Sequence, residues 1–87
     1  MEIKEIEIRL EQLTKEIKQL ERFKRDYELD LEAYTSFVDK KGLSIHDEEY
    51  INYKIDIAQS MADYYIKKID ETKGLIYVFE SMLKMLL

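Results

Sequence analysis

An apolar side chain recurs along the first half of this chain at alternating steps of three and four residues. The positions are Ile3, Ile6, Leu10, Leu13, Ile17, Leu20, Lys24, Tyr27, Leu31, Tyr34 and Val38, and Lys24 is the single polar break. Few folds accept such a pattern. A mean step of 3.5 residues keeps one face of an α-helix apolar over its whole length, as a coiled-coil-like seam requires. The chain has no proline, so nothing in the backbone chemistry interrupts the helix. The spacing predicts a first helix over residues 2–40, roughly 58 Å long at 1.5 Å per residue.

The stretch Asp39–Glu49, "DKKGLSIHDEE", reads as a turn. Lys40 and Lys41 stand where cations favour a helix C-terminus. Gly42 can take the left-handed conformation that closes a helix. Ser44 is a natural N-cap, and Asp47 three residues later completes a capping-box pattern with Asp in place of Glu. The turn is expected at residues 41–44. His46, Asp47, Glu48 and Glu49 then fall in the first turn of the next helix, where negative charge is favoured.

The same spacing resumes as Ile51, Ile55, Ala58, Ala62, Tyr65, Ile69, Thr72, Ile76, Phe79, Leu83 and Leu86. It predicts a second helix over residues 45–86. Gly74 is the one place where that helix could break, although the seam continues past it in phase. Two helices of similar length joined by a short turn must run antiparallel. The expected fold is therefore all-α: one domain over residues 1–87, a long helical hairpin.

The second helix has more apolar surface than one neighbour can cover. Another stripe, offset from the first by roughly 110° around the helix, comprises Tyr50, Lys54, Ile57, Met61, Tyr64, Lys68, Glu71, Leu75, Val78, Met82 and Met85. The first helix has no matching stripe; its extra apolar residues, Ile8, Phe23, Leu29 and Phe37, read as scattered. A chain of 87 residues buries only a modest core alone. Tyr50, Ile57, Met61, Tyr64, Leu75, Val78, Met82 and Met85 are thus the candidate seam for a homodimer, closing a four-helix bundle, or for a partner protein.

Charge is unevenly placed. The net charge of −5 resolves into +1 over residues 1–25, −7 over residues 26–63 and +1 over residues 64–87. Folding the hairpin gathers the acids at the turn end. Glu49, Asp56, Asp63 and Asp70 recur every seven residues on one outer face. Asp39, Asp47, Glu48, Glu49, Asp56 and Asp63 form the candidate acidic face, suited to a partner with a basic surface. The overall balance argues against nucleic acid as a direct ligand.

Other functions find little support in the sequence. Neighbouring helical residues point in different directions, so His46 and the three acids after it cannot converge on one metal ion. No E-x-x-H pair of the di-iron bundles is present. Without cysteine, with one histidine and with no phosphate-binding loop, no catalytic residue, metal or cofactor is expected. No apolar run approaches the roughly 20 residues of a membrane span, and the start "MEIKEIEIRLEQ" is not a signal peptide. The absence of cysteine suits a reducing compartment, the cytoplasm.

Two families of small helical hairpins lack their signatures here. The secreted hairpins with a W-x-G turn require a tryptophan and a C-terminal Y-x-x-x-D/E, and the chain has neither. Sporulation phosphatases with an S-x-x-x-D motif are matched only by Asp56, in the stretch Asn52–Asp56. As a class, the chain resembles the small acidic helical inhibitors that phages and mobile elements encode. The expected function is a non-enzymatic protein-interaction module, an adaptor or inhibitor. The alternative is a structural, self-associating or chaperone-like role.

Overall fold

A computed structural model describes residues 1–38 and 42–87. Two helices account for nearly all of them: α1, Ile3–Val38, and α2, Ile45–Leu86. They form the all-α hairpin that the spacing predicts. The end of the first helix at Lys40, the role of Lys40 and Lys41 there, and the position of Asp39 lie outside the described residues.

The hairpin is a rod of 65 × 14 × 14 Å with a radius of gyration of 19.4 Å. A compact chain of this length would have a radius of about 12 Å, so the two helices lie side by side for their full length without folding back further. Three levels of the rod show the antiparallel register. Near the termini, Met1 shares a groove with Met82, Met85 and Leu86. Midway, Phe23 and Tyr27 of α1 both meet the Tyr65 ring, at 5.6 and 5.9 Å between centroids. Nearer the turn, Tyr27, Asp30 and Tyr34 line a groove with Lys54, Ile57 and Ala58.

The core is the predicted seam. Ile6 and Leu13 of α1 are buried, as are Ala58, Ala62, Ile69 and Thr72 of α2. The other seam residues are half-buried, except Ile3, Val38 and Leu86 at the ends, which are open to solvent. Each polar intrusion into the seam has a partner. Thr72 donates its hydroxyl to the Lys68 carbonyl at 2.8 Å, the back-bond that a helical threonine makes to the preceding turn. Lys24 carries its ammonium to the seam edge, 3.6 Å from Glu28, while its stem covers apolar surface. The small Ala58 and Ala62 leave room for the half-buried rings of Tyr27, Tyr34 and Tyr65, whose hydroxyls can reach water along the edge.

At the turn, Gly42 has φ of +94°. This is left-handed backbone, open to glycine without the Cβ clash that penalises other residues. Ser44 has extended backbone, and its hydroxyl accepts from the Asp47 N–H at 3.2 Å. The first helical bond, from the Glu48 N–H to the Ser44 carbonyl at 3.0 Å, follows at once. The sequence pattern of an N-cap is thus realised at the expected residue. α2 passes through Gly74 without interruption.

Candidate interaction surface

Helical phase decides which side chains the hairpin covers and which it leaves outside. On α2 the covered face is the seam from Ile51 to Leu83. Roughly a third of a turn away, the second stripe remains open. Tyr50 is 59% exposed, Tyr64 50%, Val78 51% and Met85 85%. Ile57 and Leu75 are also exposed, whereas Met61 and Met82 are half-buried. The stripe is therefore a ledge rather than a flat face. Met61 and Met82 are partly covered, and Tyr50, Ile57, Tyr64, Val78 and Met85 stand out in solvent.

Three polar residues interrupt this ledge, and two of them sit together. Lys68 lies 3.7 Å from Glu71, and its ammonium stands 5.8 Å from the Tyr64 ring centroid. Lys54 stands 5.6 Å from the Tyr50 ring centroid. Each lysine therefore covers an aromatic face instead of projecting freely into water. Tyr64 also meets Tyr65 edge-on, with ring centroids 5.2 Å apart. That contact links the exposed ledge to the aromatic layer in the core.

Phe23 belongs to this layer although its spacing did not announce it. Its ring is 37% exposed and packs at 41° against Tyr65. Phe23, Asp30 and Phe37 follow one another at seven-residue intervals. Asp30 lines the same groove as Lys54 and Ile57, so this edge of α1 adjoins the ledge of α2. The heptad interval was the signal that could have found it.

The acidic candidates take another face. Asp47, Glu48, Glu49, Asp56 and Asp63 are all exposed. Asp63 accepts from the Gln59 amide at 3.1 Å. On α1, Asp26, Glu28, Asp30 and Glu32 are exposed as well. The outer side of α1 nearer the termini is basic instead. Lys18, Arg22 and Arg25, at four- and three-residue steps, line a shallow surface groove with Glu21, Lys24 and Glu28.

Among the described residues, no group of three or more His, Asp or Glu side chains could hold a metal ion. His46 is exposed in the first turn of α2. No helix among the described residues is long and apolar enough to cross a membrane. No family model, curated protein or solved structure matches this chain.

Proposed function

We propose that this chain is a non-enzymatic protein-interaction module of the adaptor or inhibitor kind, working in a reducing compartment such as the cytoplasm. The observation that carries this reading is the apolar ledge of α2. It runs from Tyr50 to Met85, and most of its large side chains are exposed. Solvent-facing rows of this kind on soluble proteins mark interaction sites. The first role of the ledge is self-association of two hairpins into a four-helix bundle. Total exposure supports the need for a partner. The rod presents 6884 Å², whereas a compact monomer of its mass would present about 5,400 Å².

The acidic face around the turn is the second surface. It lies off the ledge, so a dimer leaves it free. Its charge steers basic protein surfaces towards the rod and adds salt sensitivity to the encounter.

Two measurements test the reading. Light scattering across concentration is expected to show a dimer. A persistent monomer would remove the self-association and leave the ledge to a different protein. Capture of basic proteins on the immobilised chain is expected to fall when Glu49, Asp56 and Asp63 are changed to lysine. Unchanged capture would overturn the role of the acidic face. A stable dimer that captures nothing at all would point to the structural role instead.

A further inference from the structure

Resting on the self-association reading, we infer that the occupant of the ledge is a second copy of this chain in antiparallel orientation, with its two-fold axis passing between Lys68 and Glu71. The charge pattern of the ledge fixes both orientation and register. Centring the axis there sets Lys68 against Glu71 of the second copy, Tyr64 against Leu75, Met61 against Val78 and Ile57 against Met82. Apolar residues meet apolar ones at each of these levels except the central one, where opposite charges meet twice; only at the ends does a lysine, Lys54, face an apolar residue, Met85.

Other arrangements fail on the same residues. A shift of seven residues either way puts Lys68 and Glu71 against apolar side chains and leaves each charge without its counterpart. A parallel pair stacks Lys54 on Lys54, Lys68 on Lys68 and Glu71 on Glu71. It also brings together two turn ends whose residues 26–63 each carry a net −7. The antiparallel pair lays each acidic end beside the weakly basic terminal end of the other copy. Like charges facing one another at an interface are the usual means of excluding an orientation.

Geometry separates the two orientations further. An antiparallel two-fold axis, perpendicular to the helices, places both copies of α1 on the same side of the α2 pair. The ledge lies roughly 110° from the α1-facing seam, so the four helices then form a splayed bundle with the α1 pair on one side. A parallel axis puts the two copies of α1 on opposite sides, and the result is an open row. Phe23 agrees with the antiparallel arrangement. It lies on the α1 edge beside the ledge, its ring is 37% exposed, and its contact with Tyr65 places it within about one helical turn of the axis.

The chain has no cysteine, so a single Asn52→Cys, at an exposed residue off both seams, can carry one spin label per copy. Double electron–electron resonance is expected to give a label separation of about 55 Å, against roughly 25 Å for the parallel pair. Lys68→Glu is expected to weaken the dimer roughly tenfold by setting like charges together. Adding Glu71→Lys is expected to restore it, because the opposite pairs re-form across the axis. A short separation, or no rescue by the double variant, would overturn the antiparallel register while leaving self-association intact. A monomer at all concentrations would overturn the choice of a second copy as occupant and leave the ledge to another protein.

Discussion

The two helices of this hairpin are built from the same seam and differ in what lies outside it. In α1, 16 of 36 residues are charged, and almost everything off the seam is solvated. In α2, 13 of 42 are charged, and a second apolar stripe occupies the face beside the seam. One neighbouring helix covers most of the apolar surface of α1, whereas α2 keeps a second apolar row in solvent. The difference separates the residues that hold the hairpin from those on which the proposed association rests. A residue on the shared seam holds the hairpin together, and most large residues on the ledge of α2 stand in solvent.

The comparison breaks most sharply at two apolar residues of similar character. Leu13→Ala removes a fully buried side chain and is expected to destabilise the hairpin by about 3 kcal/mol. Val78→Ala, on the ledge, is expected to change it by under about 0.5 kcal/mol. Urea denaturation at dilute concentration, where association does not contribute, reads both. Equal effects would remove the distinction between seam and ledge. Ala62→Leu sharpens the point from the α2 side. Ala62 is buried at the seam, so added methylenes are expected to cost about 2 kcal/mol by crowding, seen as a lower urea midpoint.

Smaller effects test how each helix is bounded. Ser44→Ala removes the acceptor of the Asp47 N–H and is expected to cost about 1 kcal/mol, with faster amide exchange confined to the first turn of α2. Gly74→Ala works in the other direction. A Cβ there meets nothing within 4 Å, so the hairpin is expected to gain about 0.8 kcal/mol from helix propensity, read as a raised melting temperature. A lower melting temperature would mean that Gly74 serves close approach rather than merely interrupting propensity.

Much of this was legible in the sequence, because spacing along a helix is an angle around it. The steps of three and four placed Ile6, Leu13, Ala58, Ala62 and Ile69 in the core, and Ser44 and Gly42 announced the turn by their capping chemistry. The second stripe was legible for the same reason. Spacing is silent about reach. It did not show that Met61 and Met82 are half-buried while Tyr64 and Val78 stand clear, since that depends on side-chain length and the neighbouring helix. Nor did it join Phe23 to Tyr65, because a contact between helices depends on register, and register is a property of the pair. In the spacing alone, Lys24 is a break in the seam. The structure gives it Glu28 as a partner at the seam edge.

If the seam holds the fold and the ledge of α2 holds the proposed partner, substitutions on the ledge separate association from folding. Sedimentation equilibrium of the double variant Ile57→Asp with Val78→Asp, beside its thermal melt by circular dichroism, tests it most directly. A dimer is expected for the unaltered chain, twice its 10.5 kDa, and a monomer for the variant that still melts cooperatively as a helical hairpin. A variant that remains dimeric, or one that loses its helices together with its association, would contradict it.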